Sequence, residues 1–249
     1  MPSRNSLKEY IKDGYYHVYN RGVEKRIIFE DDQDYKVFLK YLKEILSPPD
    51  PDSLKTTFTL GGQSYQALRV PLKNYFSLQG LSLDQGQSFK IVKKFLKNYS
   101  QEIDLIAYCL MPNHFHLLLK QRTKTSLEGF MRALMTRYSM YFNKRYDRVG
   151  SLFQGRYKAV LIENEAYLVH LSRYIHLNPA ELHMDLMKAY SSYGEYVGIR
   201  NTPWIKKGFV LDLFSNKLSP EFKRMKDYKD FVEKYKVDSA ALLGDLVLE

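Results

Sequence analysis

The spacing of apolar and polar residues in the first part of the chain predicts one strand followed by one helix. Residues 15–20, YYHVYN, alternate tyrosine or valine with polar residues, which is typical of a strand. Residues 31–46, DDQDYKVFLKYLKEIL, carry apolar residues at helical spacing after an acidic start suited to a helix N-terminus. The proline-rich segment SPPDPDS, residues 47–53, ends this predicted helix because proline cannot continue it.

A second regular stretch starts at Ile103. Residues 104–111, DLIAYCLM, and residues 114–120, HFHLLLK, predict two strands joined by a short turn at Pro112-Asn113. Two strands so closely connected predict an antiparallel hairpin.

Helical spacing returns after this hairpin. Residues 126–146 predict an amphipathic helix with Ser126 as its N-cap. Its apolar stripe consists of Leu127, Phe130, Met131, Leu134, Tyr138 and Tyr141. Residues 151–162 predict an extended segment, and residues 164–182 predict a further helix with Asn164 as its N-cap.

The order of these elements predicts an α+β fold, in which helices pack on an antiparallel sheet. Residues 47–100 interrupt the order with turn-rich sequence, and we expect them to be an insertion. We therefore expect a main domain over residues 1–197, containing this insertion, and a helical C-terminal extension over residues 198–249.

Charge and composition narrow the function. The net charge is +10, from 38 Lys+Arg against 28 Asp+Glu, and 21 tyrosines are present. This balance favours an anionic partner, with nucleic acid ahead of a membrane surface, and tyrosines suit base stacking. The single cysteine, Cys109, excludes an intrachain disulfide and a cysteine-based zinc site. The N-terminus lacks the apolar core of a signal peptide and no run of 18 apolar residues occurs, so we expect a cytoplasmic protein without a membrane anchor.

His114 and His116 are the first candidates for chemistry. Residues two apart in a strand point to the same face, so both imidazoles can reach one metal ion. With added oxygen ligands, such a pair suits Mg²⁺ or Mn²⁺. The alternative is a pair of core histidines whose nitrogens are satisfied by hydrogen bonds.

Tyr174 and Asn178 are the second pair of candidates. They are four residues apart and therefore neighbours on one helical face. A tyrosine hydroxyl can act as a nucleophile, and the amide oxygen of Asn178 could complete the metal site. Alternatively Tyr174 is a core aromatic and Asn178 a helix cap, which Pro179 supports because it disfavours helical geometry at the preceding residue.

Four ordered motifs give these candidates a common context. The segments YYHVYNRG, AYCLMPNHFHLLLK, GSLFQGRYKAVLIENEAYLVHLSRYIHLNPAEL and YSSYGEY resemble the single-tyrosine HUH transposases of small bacterial insertion sequences. They are most similar to the branch called REP-associated tyrosine transposases. The resemblance covers residues 15–46 and 103–197.

The resemblance implies a fold, a reaction and roles for four residues. It implies an RRM/ferredoxin-like antiparallel sheet with the histidine pair on a central strand. His114, His116 and Asn178 would hold a divalent metal, Mg²⁺ or Mn²⁺, and Tyr174 would be the nucleophile. Such proteins cut and rejoin single-stranded DNA, typically beside hairpin-containing repeats, through a 5′-phosphotyrosine. The resemblance also implies a bacterial, nucleoid-associated protein, and leaves a homodimer open.

Basic residues provide candidates for contacts to the DNA backbone. They are Arg21, Arg26, Arg137, Lys144, Arg145, Arg148, Arg156 and Lys158. Two other functions stay open from the sequence. One is a non-catalytic DNA- or RNA-binding protein on an RRM-like sheet, and the other is a metal phosphodiesterase that uses water and would not need Tyr174.

Overall fold

The elements of the structure follow the predicted order of strands and helices. The computed structural model describes residues 10–48, 55–60, 63–68, 97–216, 220–235 and 244. The strands are β1 (Tyr15–Arg21), β2 (Lys55–Leu60), β3 (Gln63–Leu68), β4 (Ile103–Met111), β5 (His114–Gln121) and β6 (Lys158–Ile162). The helices are α1 (Asp32–Leu46), α2 (Ser126–Arg145), α3 (Glu165–Leu177), α4 (Tyr193–Tyr196), α5 (Gly208–Ser215), α6 (Pro220–Lys223) and α7 (Tyr228–Lys234). In this part of the chain no helix is long and apolar enough to cross a membrane.

Four of the strands form one antiparallel sheet in the order β4-β5-β1-β6. The chain runs β1-α1-β4-β5-α2-β6, so β1 and β5 are central, as in a ferredoxin-like arrangement. The predicted α+β class and antiparallel sheet are confirmed. Strands β2 and β3 form a separate antiparallel hairpin within the predicted insertion.

Helices cover both faces of this sheet. On one face, α1 and α2 pack against Val18, Phe115 and Leu117. On the other face, α3 packs against Ala107 and Leu118, and α5 and α7 contact α3 in turn. Since α5 and α7 share a core with α3, the C-terminal extension is part of what holds α3 in place. The boundary predicted at residue 198 stays a prediction.

The structure tests the two predicted helix N-caps, Asn164 and Ser126. Asn164 caps α3, because its side-chain oxygen accepts a hydrogen bond from the backbone N–H of Ala166 at 2.8 Å. The prediction that Ser126 caps α2 is wrong: Thr125 occupies the cap position, without a side-chain bond. Ser126 is the first helical residue and donates its hydroxyl hydrogen to Glu102 at 2.9 Å. The Ser126 hydroxyl therefore binds a residue from another part of the fold and does not cap the helix.

A buried carboxylate joins α1 to α2. Asp34 is fully buried and accepts hydrogen bonds from the hydroxyls of Tyr141 and Tyr146, both at 2.8 Å. Arg145 pairs with the same carboxylate at 2.7 Å. Tyr141 therefore contributes a polar contact as well as its predicted apolar one.

The two ends of the predicted insertion lie side by side. The Asn98 side chain donates to the carbonyl of Ser47 at 2.6 Å. The backbone N–H of Tyr99 donates to the carbonyl of Ile45 at 2.8 Å. The chain therefore leaves and re-enters the main domain at neighbouring points, as expected for an insertion.

Replacing residues 50–96 with a short glycine-serine linker should leave the main domain folded. The ends are already adjacent, and loop closure depends weakly on loop length. We expect a cooperative melt with Tm within about 4 °C of the full chain, equivalent to about 1 kcal/mol. A matched deletion that continues through Tyr99, which is buried in the core, should lose that melt. Loss of the melt in the first deletion would instead make residues 50–96 part of the core.

Candidate metal and tyrosine site

The two histidines start the central strand β5 and share one face of the sheet. In the register, His114 lies opposite Arg21 of β1, and His116 lies opposite Tyr19. The imidazole centroids of the two histidines are 4.9 Å apart. His116 is fully buried, whereas His114 is partly exposed at the end of the strand. The strand therefore presents two imidazoles to one location, as its spacing predicted.

Helix α3 brings the other two candidates onto the same face. The ring centroid of Tyr174 lies 5.5 Å from that of His116, with the planes nearly perpendicular. Asn178 follows the last residue of α3, is buried, and donates from its amide nitrogen to the carbonyl of Tyr174 at 2.9 Å. The Asn178 side chain also contacts His114 and His116. Asn178 is therefore both the helix cap and a neighbour of the imidazoles. Its predicted roles as helix cap and as metal ligand are compatible.

A hydrogen bond fixes which nitrogen of His114 faces the site. His114 Nδ1 lies 2.7 Å from the side-chain oxygen of Asn113. The Asn113 amide nitrogen donates to the carbonyl of Lys25, which sets the orientation of the amide. An amide oxygen only accepts, so His114 Nδ1 carries the hydrogen and Nε2 keeps a lone pair.

His116 has a comparable arrangement on a different partner. Its Nδ1 lies 2.9 Å from Nε2 of His17 on β1. Its Nε2 is buried and has no well-aligned hydrogen bond within the described residues, even though Asn178 is close. A buried ring nitrogen without such a partner is uncommon and is what a missing ligand would leave.

These residues fit a divalent metal ion. His114 Nε2, His116 Nε2 and the Asn178 amide oxygen form a mixed nitrogen and oxygen set, and hydrogen bonds orient both imidazoles. No group of three or more His, Cys, Asp or Glu side chains suited to a metal occurs in the described part of the chain. No carboxylate of the described residues joins the histidine pair, so the remaining ligands of Mg²⁺ or Mn²⁺ would be oxygens of water or phosphate.

Burial keeps His114 and His116 neutral, as metal ligation requires. Loss of hydration lowers the pKa of His114 from 6.5 to about 4; the Asn178 contact opposes this shift and the charge of Arg21 adds to it. Burial also lowers the pKa of His116 well below 6.5 and that of His176 to about 3.

These shifts make the stability of the metal-free protein dependent on pH. Below pH 6.5 the unfolded chain binds protons at His114, His116 and His176 that the folded protein excludes down to about pH 4 or lower. The free energy of unfolding should therefore fall as the pH falls, by about 1.4 kcal/mol per pH unit for each histidine involved. Thermal melts in chelator at pH 7.5, 6.0 and 5.2 test this prediction. A Tm that stays constant across that range would contradict it.

Side-chain hydrogen bonds fasten α3 to the elements around it. His176 contacts the Tyr228 hydroxyl at 2.9 Å and the Ser192 hydroxyl at 2.8 Å. Arg173 donates to the backbone carbonyls of Phe231 and Tyr235 at 2.8 and 2.7 Å. The C-terminal helices and the YSSYGEY segment thus hold the helix that carries Tyr174. The sequence did not predict these contacts.

Two of the predicted DNA-contacting residues lie beside the site. Arg21 is directly opposite His114, and Lys158 is directly opposite Tyr19 in the neighbouring strand. The Lys158 ammonium is 5.7 Å from the Tyr19 ring centroid, and the Arg21 Nε donates to the Gln154 side chain at 2.5 Å.

The other predicted basic residues are placed differently. Arg137 and Arg145 of α2 pair with acidic residues of the protein, Arg137 with Glu44 and Arg145 with Asp31 and Asp34. The remaining four are Arg26, Lys144, Arg148 and Arg156, of which Lys144 and Arg156 are exposed. Helix α2 covers the face of the sheet opposite the histidine pair, so the predicted set does not form one surface.

Comparison with known proteins relates part of the chain to a known family. Residues 83–178 match the family described as IS200-like transposase. No curated protein matches the chain. Among solved structures, a REP-associated tyrosine transposase bound to a REP hairpin is similar over 80% of this chain and 95% of its own, with 10% identity and a TM-score of 0.44. The family match includes His114, His116, Tyr174 and, as its last residue, Asn178.

Proposed function

We propose that this chain is an IS200-like transposase, the family that residues 83–178 match, and that it cuts and rejoins single-stranded DNA through Tyr174. The observation that carries the proposal is that Tyr174 lies beside the histidine pair. The Tyr174 ring is 5.5 Å from His116, and Asn178 contacts both imidazoles. One chain supplies all of these groups, so a second copy is not needed to build the site.

Tyr174 supplies the nucleophile in this proposal. Its phenolic oxygen attacks the scissile phosphorus and loses its proton, the bond from phosphorus to the 3′ oxygen breaks, and that oxygen takes up a proton. The products are a free 3′-hydroxyl and a DNA 5′-phosphate joined to Tyr174. Attack by a 3′-hydroxyl on this linkage reverses the step, so rejoining needs no ATP.

His114, His116 and Asn178 would hold a divalent metal beside Tyr174, with Mg²⁺ and Mn²⁺ both compatible with the ligand set. When bound, the ion would act as a Lewis acid on the scissile phosphate. The hydrogen bonds at the two Nδ1 atoms keep the imidazoles oriented before the metal arrives. Helix α3, which is fastened at both Arg173 and His176, keeps the Tyr174 ring against them.

Arg21 and Lys158 would hold the DNA backbone at this site. They flank the histidine pair on the same sheet face, in the positions that register assigns them. Their contacts to phosphate would add affinity that falls with salt concentration. The substrate we propose is hairpin-containing repeats of the REP type in the bacterial nucleoid, an extension of the resemblance of the sequence motifs.

The proposal is tested with labelled single-stranded hairpin DNA from the repeats that flank the gene. We expect cleavage that requires Mn²⁺ or Mg²⁺, that leaves duplex DNA of the same sequence intact, and that releases a 3′-hydroxyl. Binding of such DNA without cleavage, across several hairpins and both metals, would favour the non-catalytic binding protein.

A further inference from the structure

His17 lies next to His116 on the adjacent central strand. Both imidazoles are fully buried, and their nitrogens, His17 Nε2 and His116 Nδ1, are 2.9 Å apart. The rings are stacked, with centroids 5.1 Å apart. His17 also contacts the Tyr174 ring edge to face, at 6.2 Å between centroids. It is therefore in contact with two of the proposed functional residues.

We propose that His17 is a positioning residue for His116, a role that rests on the proposed metal site. His17 accepts a hydrogen bond from His116 Nδ1. This bond fixes His116 as the tautomer whose bare Nε2 faces Asn178 and the metal position.

The direction of this hydrogen bond follows from the other nitrogen of His116. A neutral imidazole carries one hydrogen, so if His17 were the donor, His116 Nε2 would hold that hydrogen. The nearest acceptor for that hydrogen would be the Asn178 side chain, which is not aligned with His116 Nε2 for a hydrogen bond. Buried donors are rarely left unpaired, whereas a ring nitrogen that carries only a lone pair can bind a metal ion. The arrangement with His116 as donor is therefore favoured.

The two proposed histidine ligands then have matched supports. Asn113 accepts from His114 Nδ1 at 2.7 Å, and His17 accepts from His116 Nδ1 at 2.9 Å. Both imidazoles present a bare Nε2 on the side of Asn178. Strand β1, which supplies His17, therefore contributes to the site although none of its residues is a ligand.

Substitution of His17 tests this role through metal affinity. His17→Leu fills the space without an acceptor, whereas His17→Gln keeps a side-chain oxygen near the original Nε2 position. Mn²⁺ binding is measured by electron paramagnetic resonance of the free ion, with His114→Ala as the reference for a damaged ligand. We expect His17→Leu to bind Mn²⁺ roughly 10- to 100-fold more weakly than wild type, and His17→Gln to recover most of the affinity.

The outcomes distinguish the role of His17 from the existence of the proposed metal site. Wild-type affinity in a folded His17→Leu variant would overturn the role of His17 while leaving the metal site intact. Equal affinity in wild type and His114→Ala would overturn the proposed metal site instead.

Nitrogen NMR on metal-free wild-type protein tests the tautomer without any substitution of His17. The chain has six histidines, so ¹⁵N-histidine labelling gives a small spectrum, and the signal absent from His116→Gln identifies His116. We expect the hydrogen of His116 on Nδ1 and a bare Nε2. A hydrogen on Nε2 would make His17 the donor and overturn the inference, whatever the metal data show.

Discussion

Tyr174→Phe is expected to abolish the covalent protein–DNA adduct and to slow cleavage of single-stranded DNA by at least about a thousandfold, the scale on which loss of a catalytic nucleophile acts. The substitution removes one oxygen. The ring packs in the apolar layer between α3 and the sheet and is only 8% exposed, so phenylalanine keeps most of its contacts. The fold and the affinity for DNA should therefore persist.

The measurement is single-turnover cleavage of labelled hairpin DNA, with Tm and DNA affinity measured on the same preparations. Tyr167→Phe is the matched control, because Tyr167 lies on the same helix and is 44% exposed. That variant should cleave like wild type. Unchanged cleavage without an adduct in Tyr174→Phe would mean that water is the nucleophile, as in a metal phosphodiesterase.

His114→Ala is expected to have the second largest effect, the loss of metal-stimulated cleavage. His114 is the more exposed of the two histidines, so its loss disturbs folding less than loss of the fully buried His116. Affinity for DNA should stay within about tenfold of wild type, because phosphate contacts dominate it.

Cleavage as a function of Mn²⁺ concentration tests this expectation. His183→Asn serves as a control: His183 is exposed and has a positive φ of 55°, which asparagine tolerates. It should leave the metal dependence unchanged. Full Mn²⁺-dependent cleavage by His114→Ala would remove His114 from the metal site.

The local parts of the site could be predicted from sequence, because they depend on short periodicities. Alternation along β5 placed His114 and His116 on one face, and the four-residue spacing placed Tyr174 beside Asn178. That α3 packs over this face of the sheet, and not over the opposite one, followed only from the family resemblance. Periodicity alone does not say which face of a sheet a helix covers.

Tertiary pairing explains what the sequence did not show. His17 sits in an alternating strand, but nothing in YYHVYN says that β5 is its neighbour or that His116 is in register with it. Arg145 looked like a DNA contact because its partners, Asp31 and Asp34, are more than a hundred positions away along the chain. Ser126 was assigned as a cap by residue type, whereas its hydroxyl binds Glu102 from another part of the fold.

Residues of the predicted C-terminal extension contact the helix that carries Tyr174, which their sequence did not indicate. Tyr228 of α7 contacts both Ser172 and His176 on α3, with distances of 2.8 and 2.9 Å. Arg173, the residue before the proposed nucleophile, donates to two carbonyls of the same region. The extension therefore supports the helix that carries Tyr174.

Identification of the DNA-linked residue tests the central claim most directly. Wild-type protein is incubated with Mn²⁺ and hairpin DNA labelled at either its 3′ or its 5′ end, and the adduct is digested and analysed by mass spectrometry. The proposed function predicts an adduct that keeps the 3′ label, releases the 5′-labelled fragment, and carries the phosphate on the peptide containing Tyr174. A phosphate on any other residue, or an adduct that keeps the 5′ label, would contradict it.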